Sequence, residues 1–346
     1  VVDDIKITVT PNKIANGYDN GDKAGAIAGY FSDESVYYVS GNTAKNFTVQ
    51  AYRDLGGIVG CANKGAYVKD NVAENGTLIV NQTNYYGEKD ANAGYIVGRI
   101  VNGSLGTGNT ANNVSVGKFI GAQKAFDAAR ALEQESVVVE LTADVTLKGT
   151  TGENFAKANT ITIDGQGHKL TYTDSYRTYV KMADGGKVIY KNLKLYRETT
   201  GGTHWHDNNM KFCCDAEFYN VEFNKGICFD NAKTFVLNNS TISKNKVSTY
   251  ALFITAGCNV SIDGLTVTHA EGVNGRGIKI VDEDVADKTA KTTLSVANSK
   301  FTTVQKAAIM VGSQGGATIT LANNDITEVK ADTVNTVWVD SDYKDY

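Results

Sequence analysis

Apolar and polar residues alternate in one repeated pattern between Val188 and Ile326. Each of six copies reads apolar, any, apolar, any, Asn or Gly, two residues, apolar, and the copies are 19 to 34 residues apart. The alternation has the period of a strand with one buried face, and Asn or Gly tolerates the left-handed backbone of a corner. The pattern therefore predicts a β-solenoid in which equivalent residues stack on successive coils. The central residues are Asn192, Asn220, Asn239, Gly264, Asn298 and Asn323; four residues before them lie Val188, Ala216, Phe235, Val260, Leu294 and Ile319, two before them Tyr190, Phe218, Leu237, Ile262, Val296 and Leu321, and three after them Leu195, Phe223, Ile242, Val267, Phe301 and Ile326.

A shorter apolar run follows five of these six corners, which predicts a further wall in each coil. The runs are Met210–Cys214, Ile227–Phe229, Ala251–Ile254, Gly277–Val281 and Ala308–Val311. An imperfect earlier copy, Ile161–Gly165, has two extra residues before Leu170. In these features the chain resembles the right-handed parallel β-helix proteins, the architecture of pectate lyases and many bacterial surface proteins. The resemblance implies an all-β fold, a right-handed parallel β-helix (solenoid), over residues 118–346.

Residues 122–134 predict a short amphipathic helix, because their apolar side chains lie three and four positions apart. The strand-like segment Val137–Leu141 follows it. The resemblance implies that this helix caps the open end of the β-helix, where core and strand edges would otherwise be exposed. An ordinary surface helix is the alternative.

Residues 1–117 repeat a different, Gly-rich pattern. Its first template occurs at Gly25–Gly29, Gly56–Gly60 and Gly94–Gly98, and its second at Gly41–Asn46, Asp70–Asn75 and Gly108–Asn113. These segments resemble the GLUG-type repeats of bacterial surface and adhesin-like proteins. The resemblance implies a secreted or cell-surface location in bacteria, with a lipid anchor on the full-length form as one mode of attachment. We expect a small, tightly wound β-solenoid domain here, because flanking Gly residues suit crowded corners.

Composition narrows the choice of partner and compartment. The net charge is −4 and no basic stripe occurs, so nucleic acid is not an expected partner. No segment approaches the roughly 20 apolar residues of a membrane span. The sequence shows neither a signal peptide nor an initiator Met, and we expect a mature or trimmed form.

The five Cys residues show no zinc-binding spacing. Aligning Phe212–Asp215 with Ile227–Asp230 would place Cys213 above Cys228 on neighbouring coils. That register allows a disulfide, although small apolar fillers in a stacked wall are the favoured interpretation.

The same alignment would place Asp215 above Asp230, about 5 Å apart, a spacing that suits a retaining glycosidase. Two Asp residues at strand ends that face water are the alternative. Polygalacturonase-like enzymes need an adjacent Asp pair on a strand. The only such pair in this chain, Asp3-Asp4, lies outside the predicted β-helix, which argues against that activity.

The loop from Thr199 to Asn209 is a candidate ligand-binding segment. His204, His206 and Asp207 are suited to a metal, and Trp205 is suited to stacking on a sugar ring. A structured loop with its Trp packed inward is the alternative.

A third candidate site combines basic and acidic residues, as a polysaccharide lyase needs. Arg276 and Lys279 precede the acidic residues Asp282, Glu283 and Asp284, which would attract Ca²⁺. A solvated acidic loop is the alternative, and no other cofactor is expected.

These observations favour a non-catalytic, secreted or cell-surface β-solenoid protein that binds a polysaccharide or a cell-surface glycan, in the manner of an adhesin. The alternative is a polysaccharide lyase or glycoside hydrolase acting on the outer wall of the β-helix, with Asp215, Asp230, Arg276 and Lys279 as candidate catalytic residues. A structural spacer is a third interpretation.

Overall fold

The computed structural model describes residues 1–10, 12–13, 19–20, 22–31, 36–63, 65–84, 87–88, 92–148, 159–174, 178–182, 185–199, 210–230, 233–244, 250–269, 276–282, 285–302, 307–326 and 335–339. The chain divides into two compact units, Val1–Ala143 and Asp144–Tyr346. The predicted domain boundary between residues 117 and 118 stays a prediction, because compactness does not show where one type of repeat replaces the other.

The first unit contains eighteen described strands and one helix. They are β1 (Val2–Thr8), β2 (Asn12–Lys13), β3 (Asp19–Asn20), β4 (Lys23–Gly25), β5 (Ala28–Tyr30), β6 (Tyr37–Ser40), β7 (Thr43–Ala51), β8 (Asp54–Gly56), β9 (Val59–Ala62), β10 (Ala66–Lys69), β11 (Val72–Asn81), β12 (Thr83–Asn84), β13 (Gly87–Glu88), β14 (Asn92–Gly94), β15 (Val97–Ile100), β16 (Ser104–Leu105), β17 (Thr110–Gly121), α1 (Gln123–Ala131) and β18 (Ser136–Leu141).

Three Gly-rich coils stack in this unit as the repeats predict. The first template forms parallel pairs in which Gly25 and Gly94 both lie opposite Gly56. The second template forms the parallel sheet β1-β7-β11-β17-β18. Gly56 cannot be replaced without movement, because a Cβ there would lie 1.9 Å from the Val59 carbonyl oxygen of the same coil and 2.7 Å from the Ile96 carbonyl oxygen of the next coil. The backbones of these coils therefore approach more closely than side chains allow.

Helix α1 is shorter than the predicted 122–134 and packs Ala125, Phe126 and Ala129 into the unit. After the helix, the Gln134 side chain accepts from the Val116 N–H at 2.9 Å and donates to the Val116 carbonyl at 2.9 Å. The Gln134 amide therefore makes the two backbone hydrogen bonds at Val116 that a neighbouring strand would otherwise make.

Among its described residues, the second unit contains strands and no helix. They are β19 (Val145–Lys148), β20 (Thr160–Asp164), β21 (Lys169–Asp174), β22 (Thr178–Val180), β23 (Lys187–Thr199), β24 (Met210–Phe212), β25 (Asp215–Phe223), β26 (Ile227–Phe229), β27 (Thr234–Asn238), β28 (Thr241–Lys244), β29 (Tyr250–Thr255), β30 (Asn259–Asp263), β31 (Thr266–His269), β32 (Arg276–Val281), β33 (Thr292–Ala297), β34 (Lys300–Phe301), β35 (Ala307–Gly312), β36 (Ala317–Ala322), β37 (Asp325–Ile326) and β38 (Asn335–Val339).

These strands form three parallel walls, which confirms the predicted parallel β-helix. Wall 1 precedes the corner and contains β20, β27, β30, β33, β36 and the first halves of β23 and β25. Wall 2 follows the corner and contains β19, β21, β28, β31, β34, β37 and the second halves of β23 and β25. Wall 3 is the sheet β22-β24-β26-β29-β32-β35-β38.

The register of the six copies agrees with the sequence pattern at every position. Tyr190 lies opposite Phe218, and the column continues through Leu237, Ile262 and Val296 to Leu321. All but the last of these side chains are buried; Leu321, in the last described coil of wall 1, is 40% exposed. Dispersion contacts along such columns, including the Tyr190–Phe218 stack at 5.5 Å, hold the coils together.

All six central residues adopt the left-handed backbone that the corner requires. Their φ angles range from 47° at Asn239 to 71° at Gly264. Asn and Gly pay the smallest steric cost there, which explains why no other residue type occurs at these positions.

Amide side chains form directed ladders along these corners. In the first unit the Nδ2 atoms of Asn46, Asn75 and Asn113 each donate to the preceding coil, and the ladder starts at Asp3. In the second unit one ladder starts at Asp164 and runs through Asn192 to Asn220, and another starts at Asp263 and runs through Asn298 to Asn323. Each ladder therefore begins at a carboxylate, which can only accept.

Candidate functional site

A groove of about 330 Å³ follows the corner between walls 1 and 2. Its lining residues are Gly167, Asn192, Leu193, Lys194, Asn220, Val221, Glu222, Asn239 and Thr241. They come from four successive coils, so the groove runs along the solenoid axis for roughly 14 Å, three coil spacings. An extended ligand lying in it would meet chemically similar positions at each coil.

One side of the groove carries outward side chains of wall 2. Lys194 lies opposite Glu222, and Glu222 lies opposite Thr241. Among the described residues, Lys194 makes no ion pair with a carboxylate, and Glu222 accepts a hydrogen bond from the Tyr196 hydroxyl. The groove therefore offers an ammonium group, a carboxylate and a hydroxyl within three neighbouring coils.

Tyr196 is held neutral beside the groove. Burial raises the pKa of its hydroxyl to about 12, and the hydrogen bond to Glu222 adds to the shift. The Lys169 ammonium lies 6.0 Å from the centre of the Tyr196 ring. Tyr196 thus acts as a hydrogen-bond donor that fixes the orientation of the Glu222 carboxylate.

The other side of the groove contains a break in the amide ladder. Asn220 donates to Asn192 at 3.1 Å, but no described residue donates to the Asn220 Oδ1 atom. The Asn239 carboxamide makes no hydrogen bond within the described part of the chain, and a Cβ on Gly264 would lie 2.6 Å from its Oδ1 atom. Asn239 therefore leans into the space that Gly264 leaves, away from Asn220.

The predicted pairing of Asp215 with Asp230 is wrong. Phe212 lies opposite Phe229, so the Asp230 carboxylate is level with Cys213 on wall 3. Asp215 instead begins a strand of wall 1, opposite Lys187, and accepts from the backbone N–H of Thr234. The two carboxylates belong to different walls, so the register on which the predicted retaining-glycosidase pair rested does not occur.

Asp230 does have a polar environment on the outer face of wall 3. Its Oδ2 atom lies 2.8 Å from the Lys211 ammonium and 3.7 Å from the Cys213 thiol. Its Oδ1 atom is buried without a hydrogen-bond partner in the described part of the chain. Burial alone would lower the pKa of Lys211, but Asp230 outweighs it and raises that pKa above its ordinary value. Lys211 is therefore protonated and unsuited to act as a base.

The predicted stacking of Cys213 on Cys228 is also wrong, because Cys228 lies opposite Lys211. All five Cys residues are free thiols. Burial raises the pKa of Cys213 and of Cys214 to about 12, so both are poor nucleophiles at neutral pH.

The third candidate site is only partly described. Lys279 lies on the outer face of wall 3 with its ammonium 5.8 Å from the centre of the Tyr250 ring. Asp282 is buried and accepts from the backbone N–H of Gln314 at 3.1 Å, so part of its carboxylate has a structural role. Arg276 begins β32, but its side chain, Glu283 and Asp284 lie outside the described residues, and Ca²⁺ binding there stays a prediction.

The predicted ligand-binding residues His204, Trp205, His206 and Asp207 also lie outside the described residues. In the part of the chain that the structure describes, no three His, Cys, Asp or Glu side chains converge in a way that would hold a metal ion. No described helix has the length and apolar character needed to cross a membrane.

Sequence reasoning missed the groove, although a signal was present. Lys194, Glu222 and Thr241 each lie two residues after a central Asn. That position points outward beside the corner in every copy, so it could have been recognised as a stacked polar column. The orientation of the Asn239 side chain could not have been recognised, because it depends on the space left where Gly264 has no side chain.

Comparisons with protein-family models, with curated proteins and with solved structures found no match for this chain.

Proposed function

We propose that this chain is a non-catalytic, glycan-binding β-solenoid protein that acts in secreted form or at a bacterial cell surface, in an adhesin-like role. The observation that carries the proposal is the groove along the corner, with its stacked amides, one hydroxyl, one ammonium and one carboxylate. Sugar hydroxyls both donate and accept hydrogen bonds, and a row of such groups on a fixed backbone suits an extended glycan.

The chemistry of the groove favours binding over hydrolysis. Glycosidases of the usual kind need two carboxyl groups on either side of the scissile bond. Among the described residues, Glu222 is the single carboxylate that lines the groove, and its partner Tyr196 is neutral. A groove with one carboxylate can orient a sugar without supplying the acid and base pair.

The repeat patterns support the same class of protein. The Gly-rich templates of residues 1–117 resemble GLUG-type repeats, and the corner pattern resembles pectate lyase-like β-helices. Both architectures present long, regular walls suited to contact at several points.

Affinity electrophoresis through gels containing neutral and acidic polysaccharides tests the proposal. We expect Lys194→Gln combined with Glu222→Gln to weaken retardation about tenfold, which corresponds to about 1.4 kcal/mol. Lys300→Gln is the matched control, because Lys300 belongs to the same outward column of wall 2 but lies outside the groove. Trp205→Ala separates the predicted loop site from the groove. Unchanged retardation in the double variant would exclude the groove as the glycan site.

A second candidate is catalysis on wall 3. The observation that favours it is the buried Asp230 carboxylate, which pairs with Lys211 through one oxygen and has no hydrogen-bond partner for the other among the described residues. Release of unsaturated or reducing ends from these polysaccharides, with and without Ca²⁺, would support a lyase or hydrolase. Asp230→Asn should abolish that release if Asp230 takes part in the chemistry.

A further inference from the structure

The break in the corner ladder leaves two amide groups in the groove with unused hydrogen-bonding capacity. Asn220 ends the ladder that starts at Asp164, and its Oδ1 atom receives no donor from the described residues. Asn239, one coil further along, makes no side-chain hydrogen bond to any of them. Both residues are exposed and both line the groove.

The next coil also provides no donor for the Asn239 Oδ1 atom. Gly264 has no side chain, and the neighbouring Asp263 is a carboxylate that already accepts from Asn298 at 2.8 Å. A carboxylate cannot donate to the Asn239 Oδ1 atom. One ladder therefore ends at Asn220 and the next begins at Asp263, and Asn239 belongs to neither.

From this arrangement we infer that the groove recognises an acetamido group, so that its ligands are glycans built from N-acetylated hexosamines. The inference rests on the proposed glycan-binding function. The acetamide carbonyl accepts from Asn239 Nδ2, and the acetamide N–H donates to Asn220 Oδ1. The ligand amide thus bridges two corner side chains that do not bond to each other directly.

The surroundings suit the rest of such a sugar. The Thr241 hydroxyl lies at the same end of the groove, and the Glu222 carboxylate lies one coil away on the same wall. Both groups can pair with sugar hydroxyls. The groove runs across successive coils, so a linear oligosaccharide can continue along it beyond the acetamido sugar.

Isothermal titration calorimetry with two matched neutral oligosaccharides tests the inference. One is a β-linked N-acetylglucosamine tetramer, and the other is the glucose tetramer of the same linkage, which lacks only the acetamido groups. We expect the acetylated tetramer to bind at least tenfold more tightly to the wild-type chain.

Two variants test whether the preference for the acetylated tetramer arises at the break in the ladder. Gly264→Asn fills the space that the Asn239 Oδ1 atom occupies, so Asn239 should turn back towards Asn220, close the ladder and remove the tenfold preference. Asn239→Gly keeps the positive φ, removes the amide and should have the same effect. Asn323→Gly is the control, because Asn323 is a corner residue of the other ladder and lies outside the groove.

The outcomes separate the inference from the proposed function. Equal binding of the two tetramers, or a preference that survives in Asn239→Gly, would overturn acetamido recognition and leave glycan binding intact. No heat from either tetramer, together with no retardation in any polysaccharide gel, would overturn both.

Discussion

At the residue scale, the corner Asn residues combine a backbone role with a side-chain role. Asn220 has a φ of 55° and donates to Asn192. A left-handed residue with an ordinary side chain costs roughly 1–2 kcal/mol, and one hydrogen bond contributes about 1 kcal/mol. The two contributions can be separated by choosing the replacement.

We expect Asn220→Ala to lower the free energy of unfolding by about 2 kcal/mol, and Asn220→Gly by about 1 kcal/mol. Gly keeps the backbone conformation and loses only the ladder bond. At Asn239, where no ladder bond exists, Ala should cost only the backbone strain. Chemical denaturation measures all three, and equal values for Ala and Gly at residue 220 would contradict the strain argument.

A second residue-scale prediction concerns acid stability. Burial alone would raise the pKa of Glu217, but hydrogen bonds from Lys187 and Tyr219 outweigh it and lower that pKa below 4.5. The ionised carboxylate thus stabilises the fold above pH 4.5, and this contribution is lost as the pH falls through the lowered native value.

Glu217→Gln should therefore cost roughly 0.5–1 kcal/mol at neutral pH, because the pair is partly exposed. The difference from wild type should shrink below pH 4.5 and vanish once the native carboxyl is protonated. Denaturation midpoints across this range provide the measurement. A difference that persists at the acid end would show that the variant acts through packing instead.

At the element scale, the columns of wall 1 follow directly from the repeat. Alternating side chains fix which face is buried, and the corner Asn fixes the phase, so a register error would turn every apolar residue outward. Ile262 is consequently buried between Leu237 and Val296.

Ile262→Asp should unfold the second unit, because it buries an unpaired charge in that column. Ser261→Asp is the matched control on the same strand, since Ser261 is exposed. Circular dichroism during heating distinguishes them. A cooperative, near-native transition for Ile262→Asp would show that the column tolerates local rearrangement.

Wall 3 shows where sequence reasoning fails at this scale. The two strands β24 and β26 are only three residues long, they follow the corner at different distances along the sequence, and no corner residue marks their phase. The match of Phe212–Asp215 to Ile227–Asp230 therefore set the register two residues away from the observed Phe212–Phe229 pair. The error moved Asp215 onto the wrong wall and produced a false carboxylate pair.

At the scale of the whole molecule, the sequence predicted two kinds of repeat, and each stacks as expected within its own compact unit. The fold could be predicted because periodic apolar positions determine it. The outward column beside the corner could also have been recognised, but the orientation of the Asn239 side chain could not, because it depends on one departure from the period, Gly264 among the corner Asn residues.

The carboxylate at the start of each corner ladder has a consequence for how such chains can grow. The Asp164 carboxylate can only accept a hydrogen bond, so the Asn192 amide must turn its NH₂ group towards Asp164. The Asn220 amide then turns its NH₂ group towards Asn192 in the same direction. A duplicated coil carrying Asn can be spliced after either Asn without reversing any amide already in place. A duplicated coil carrying Asp-Gly would instead start a new ladder, and the corner Asn before it would have no side-chain partner, as at Asn239.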